Sequence, residues 1–150
     1  MKILTREIFS NKEAAALPAL AESGGLPALI SGLSAVHRAN LAAALYNEGM
    51  SPLVVICPDE SAAESMSRDL EAMTGVRPTL LAGRDFSFYP SLAASKQAEQ
   101  QRISALDKLS RGESPVTVAT VTGLMQRTVP PETLMGSAFT VSQERECPPE

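Results

Sequence analysis

The sequence predicts an α/β domain built on a parallel sheet, and three observations carry that reading. Leu53–Cys57 (LVVIC) and Val116–Thr120 (VTVAT) are uncharged, rich in β-branched residues and without strict alternation. Strands buried on both faces read that way, and parallel sheets produce them. The segments between the apolar runs are long enough to be crossover helices. Finally, 150 residues with 44% hydrophobic and 20% charged side chains can build one ordinary core and are neither disordered nor fibrous.

In chain order, the residues up to about Ser23 read as a helix packed on the outside and interrupted at Pro18. Pro27–Ser31 (PALIS) is the first expected strand and Ser34–Asn47 the helix after it. Leu53–Cys57 leads into a helix over Asp59–Thr74, which Asp59 or Ser61 can cap and Gly75 can end. Thr79–Ala82 (TLLA) is a third strand, followed by a helix over Ser95–Ser110 that Arg111-Gly112 stops. On that helix Ile103, Leu106 and Leu109 mark the apolar face, with Lys96, Glu99, Arg102 and Lys108 on the wetter side. Val116–Thr120 is the fourth strand, and the crossovers are expected to be right-handed. Beyond Gly123 the pattern weakens: Pro130-Pro131-Glu132 reads as a loop, Ala138–Val141 as one more strand, and Glu144–Glu150 is polar and rich in proline. There is no internal repeat, and the unfinished last element reads as a fragment of a longer protein.

Charge and composition exclude several classes. A net charge of −4 and a pI near 5.1 argue against a nucleic-acid binder held by bulk electrostatics. Cys57 and Cys147 lie far apart and His37 is the single histidine, so neither a metal pattern nor a disulfide framework is present. Charges interrupt the apolar run at Met1-Lys2-Ile3-Leu4-Thr5-Arg6-Glu7, unlike a signal peptide, and no apolar stretch approaches a membrane span. The expectation is a cytoplasmic chain with no membrane partner and no cofactor.

Leu29–Ala39 occupies the place where a nucleotide-binding α/β domain carries its phosphate loop, G-x-x-x-x-G-K-[ST]. In that loop glycines let backbone N–H groups approach phosphate, the lysine neutralises the β/γ-phosphates and the hydroxyl holds Mg²⁺. Here Gly32 stands at the first glycine, but His37, Arg38 and Ala39 fill the last three positions. A β-carbon, a guanidinium of the wrong shape and a methyl group replace the three chemical parts. The element by itself also fits an ordinary βα connection.

Other nucleophile patterns fail on their neighbours. Ser34 near His37, with Asp59 or Asp85 as third member, lacks the second glycine of a nucleophile elbow, and a capping serine is the simpler reading. Cys57 has no basic partner in its sequence neighbourhood and reads as a small buried hydrophobe. Phe86, Phe88 and Tyr89, beside Arg84 and Asp85, put half the chain's aromatic residues into one loop. A base-stacking platform interleaves aromatics with basic residues. One arginine answered by an aspartate fits a loop that anchors on the core or on a neighbouring domain.

Taken together, Asp85-Phe86-Ser87-Phe88-Tyr89-Pro90, Gln101-Arg102-Ile103-Ser104-Ala105-Leu106 and the run Val116–Arg127 (VTVATVTGLMQR) ahead of Pro130 resemble the N-terminus of bacterial transcription-repair coupling factors. The likeness extends from about Pro27 to Glu150, and the strand followed by VTGLMQR is its most specific part. It implies a three-layer α/β sandwich of the P-loop-NTPase or helicase type, similar to excinuclease B but with a degenerate phosphate loop at Gly32, His37, Arg38 and Ala39. It implies a division into an N-terminal helical segment (residues 1–26), the first part of the helicase-like domain (27–136) and the truncated start of an inserted module (137–150) that binds excinuclease A. The parent it implies is an ATP-dependent DNA translocase that releases stalled RNA polymerase and recruits nucleotide-excision repair enzymes, with its motor in domains absent here. The aromatic hairpin with which excinuclease B clamps DNA has no room here, because Tyr89-Pro90 leads through Ser91–Ser95 into the next helix.

The leading functional expectation is therefore a non-catalytic scaffold whose interaction loop is Arg84, Phe86, Phe88 and Tyr89, with no catalytic and no metal-binding residue. Its partners would be the other domains of the parent, excinuclease A through the adjoining module, and RNA polymerase and DNA through distant domains. Two alternatives stand beside it: the nucleotide-binding domain of an ATP-dependent helicase, and a damaged-DNA contact module. The first would need an acidic, metal-holding strand end, for which Cys57-Pro58-Asp59-Glu60 is the approximate match; Pro58 opening a helix explains that stretch equally well.

Overall fold

Turn and cap chemistry fixes the helices of the computed structural model, which describes residues 7–83 and 96–138. After a 3₁₀ turn at Ile8–Ser10, Asn11 accepts from the backbone N–H groups of Glu13 (2.8 Å) and Ala14 and starts α1 (Lys12–Ala15). Helix α2 (Leu17–Glu22) carries Pro18 in its first turn, so the expected interruption falls two residues earlier, at Ala16. Proline needs no N–H partner in the first turn of a helix. Gly24, at φ +73°, ends α2: the Gly25 N–H reaches the Leu20 carbonyl at 2.8 Å.

Pro27–Ser31 is not a strand. It runs outside the sheet with Leu29 96% exposed, and Leu26 and Ile30 about half exposed. Pro27 has no N–H to give a ladder, and Gly32 at φ +79° turns the chain into α3. Ser34 caps α3 (Ala35–Asn47), as its position before the helix predicts.

Three parallel strands follow, β1 (Leu53–Cys57), β2 (Thr79–Leu81) and β3 (Val116–Thr120), in the order β1-β3-β2. The register pairs Leu53 with Val116 and Thr79 with Thr117. Between β1 and β2, α4 (Glu60–Thr74) is capped by the Asp59 carboxylate, which accepts from the Ala62 N–H at 2.8 Å, and ends on Gly75 at φ +75°. Pro58 thus lies ahead of the cap rather than inside the helix. α5 (Lys96–Ser110) joins β2 to β3 and stops where Gly112 turns left-handed. Two short helices close the described chain, α6 (Val121–Met125) and α7 (Pro131–Gly136). The expected loop at Pro130-Pro131-Glu132 is therefore a helix start, the one place in a helix that tolerates proline best. Ala138 is not in a strand, and the remainder of Ala138–Val141 lies outside the described residues.

The two faces of the sheet are covered by different elements. On one, Ala43 of α3 and Ala63 and Leu70 of α4 pack with Cys57, Val116 and Val118. On the other, Ala105 of α5 packs with Leu81 and Ala119, flanked by Leu106 and Leu109. All five residues of β3 are buried, as its composition predicts. β1 is not buried on both faces: Val54 is 55% and Ile56 58% exposed, because α5 covers β2 and β3 but stops short of this edge strand. Ile103, expected in the core, is also 55% exposed, while Arg102, expected on the wetter side, is buried.

Candidate functional site

Strand ends in an α/β sheet carry its chemistry, because the chain reverses there and loops from different units converge. Within the described residues, the predicted phosphate-loop turn into α3 is compared with one such corner, which joins β2 and β3.

The first is the turn into α3. Gly32 holds a left-handed conformation with open space around its Cα, so the backbone turn alone explains the glycine. The Ser34 hydroxyl accepts from the His37 N–H at 3.4 Å and lies 3.1 Å from His37 Nδ1. This is a helix cap with an imidazole leaning on it. His37 and Arg38 are exposed, whereas Ala39 is fully buried on the core side of α3. The structure therefore does not bring the four predicted residues to one point: two face solvent, one packs inside and the glycine makes the turn. The expected strand before the loop is missing as well.

Cys57 sits nearby at the buried end of β1. Burial pushes its thiol pKa up, the Asp59 carboxylate pushes it further, and Arg38 opposes them. A thiol held in its neutral form is a packing group and a poor nucleophile. The Asp59 carboxylate is engaged in the cap of α4. Among the described residues no three His, Cys, Asp or Glu side chains gather to hold a metal ion.

The second corner joins the C-terminal ends of β2 and β3, and it is densely built. Arg102, 8% exposed, reaches from α5 to donate to the Ala82 carbonyl at 2.9 Å and the Gly123 carbonyl at 3.0 Å. This explains why β2 ends at Leu81 and not at Ala82: the next carbonyl is taken by a guanidinium rather than by a ladder. Thr120 caps α6, accepting from the Gly123 N–H at 2.9 Å, and its hydroxyl meets that of Thr122 at 3.1 Å. A β-carbon on Gly123 would lie 2.5 Å from the Leu81 carbonyl oxygen, and one on Gly83 would lie 2.6 Å from the Thr122 hydroxyl. Both glycines are there because the chain segments touch.

Sequence reasoning noted Arg102 and the stretch holding Thr120, Thr122 and Gly123 for their resemblance, not as a site. The corner's signal was present: Arg102, Ala105, Leu106 and Leu109 follow the i, i+3, i+4, i+7 spacing of a buried stripe. Reading the arginine by its charge put it on the wrong face. The predicted interaction loop, Arg84, Phe86, Phe88 and Tyr89, lies outside the described residues, although its chain leaves the second corner directly after Gly83.

Fold and corners define an α/β domain with a small parallel sheet, most of whose buried polar chemistry holds strand ends together. The chain is similar to the transcription-repair-coupling factor of Bacillus subtilis: 27% identity over 123 residues, covering 81% of this chain and 10% of that protein. It thus spans about a tenth of the length of that curated relative, and the match supports a relation to that family. No family model matches the chain, and no solved structure matches it significantly. No helix among the described residues is long and apolar enough to cross a membrane.

Proposed function

We propose that this chain is a non-catalytic scaffold and interaction domain of a transcription-repair coupling factor, contributing to transcription-coupled repair in the cytoplasm. The observation that carries the reading is the match to the Bacillus subtilis protein across most of this chain. The non-catalytic part rests on His37, Arg38 and Ala39, which offer no close-approach glycine, no lysine and no metal hydroxyl. In this reading the domain is the excinuclease-B-like start of a longer translocase, with a degenerate phosphate loop. Excinuclease A is reached through the module that begins near residue 137, and RNA polymerase and DNA through more distant domains.

A pull-down with excinuclease A tests this. Stable interfaces need roughly 800 Å² from each partner, or about twenty properly placed residues. The residues after 137 are too few to provide that, so the chain as given captures little, and a version extended through the adjoining module captures excinuclease A firmly. Equal capture by both places the contact on the α/β domain and removes the scaffold role. Failure of the extended version removes the coupling-factor reading itself.

A further inference from the structure

We draw no further inference here: the strongest candidate, the apolar flank of edge strand β1 at Val54 and Ile56, lies open beside the α5-covered part of the sheet, and nothing in the structure shows what covers it.

Discussion

The turn into α3 and the junction of β2 with β3 both depend on glycine, yet they are built in opposite ways. At the first, a β-carbon on Gly32 would touch nothing, His37 and Arg38 face solvent, and one serine hydroxyl does the capping. At the second, a buried guanidinium, two threonines and two close-packed glycines tie neighbouring segments together. The difference teaches where this chain is constrained. The corner that resembles a phosphate loop is loosely specified, and the corner that resembles nothing catalytic is tightly specified.

The largest effect should come from removing the guanidinium. Arg102→Met keeps most of the stem and takes away both donors, leaving the Ala82 and Gly123 carbonyls without them. Charge-assisted hydrogen bonds are worth about 1.5–3 kcal/mol each, so urea unfolding should show a loss of about 3 kcal/mol or more. Arg102→Lys should recover only part of this, because the shorter side chain has one nitrogen in place of the two separate guanidinium nitrogens that serve the two carbonyls. A loss under about 0.5 kcal/mol, the range of ordinary surface changes, would show that the two corners do not differ in the way described.

Gly123→Ala comes next. Its new β-carbon would meet the Leu81 carbonyl oxygen at 2.5 Å and the Ala82 carbonyl carbon at 3.0 Å, and both are backbone atoms that cannot rotate away. Overpacking of this kind typically costs about 1–3 kcal/mol. The same change at Gly83 presses chiefly on the Thr122 side chain, which can move, so thermal melting should rank Gly83→Ala as milder. The reverse order would mean that β2 and α6 are free to separate.

How much of this was legible beforehand depends on what each residue's role looks like in one dimension. Ser34, Asp59 and Gly75 cap or end helices where their positions predict, because capping is local and uses few residues. β3 was legible because an uncharged, β-branched run without strict alternation suits a strand buried on both faces. β1 is likewise uncharged and more apolar still, but it lies at the sheet's edge, and strand order is not written in a strand's own residues. Pro27–Ser31 had the apolar content of a strand but no ladder partner among the described residues, and only the assembled sheet reveals that. Arg102 was hidden for another reason. Charge argues for solvent on average, yet at strand ends a buried arginine can serve several backbone carbonyls that have no ladder partner. At the first corner, the departures at His37, Arg38 and Ala39 were readable, whereas the inward turn of Ala39 was not.

A smaller, pH-dependent effect separates Cys57 from its surroundings. Its thiol pKa is raised above the ordinary 9.0 by burial and by Asp59. The fold therefore favours the protonated form, and the unfolded chain holds fewer thiol protons once the pH passes that ordinary value. Linkage makes the contribution of Cys57 complete below about pH 9 and has it decline as pH rises through the folded-state value. Compared with Cys57→Ala, the native protein should lose stability between about pH 8 and strongly alkaline solution, by an amount chemical denaturation at each pH reads directly. Identical pH profiles for the two proteins would place the thiol in solvent-like surroundings and undo its assignment to the core.

The smallest effect belongs to the corner that a motif search would choose first. His37→Ala and Arg38→Ala remove exposed side chains, so each should change unfolding stability by less than about 0.5 kcal/mol. Titration of the native chain with Mg-ATP should give no binding heat in the micromolar range, and neither substitution should alter that. The physical reason is cumulative. Arg38 stands at the lysine position of the loop, and Ala39 at the metal-hydroxyl position is a buried methyl group. Even Ala39→Thr would send its hydroxyl into the core, so that variant should lose stability without gaining nucleotide. Micromolar binding by the native chain that disappears with Arg38→Ala would invert the comparison. It would make the loosely built corner the functional one and favour a nucleotide-binding domain over a scaffold.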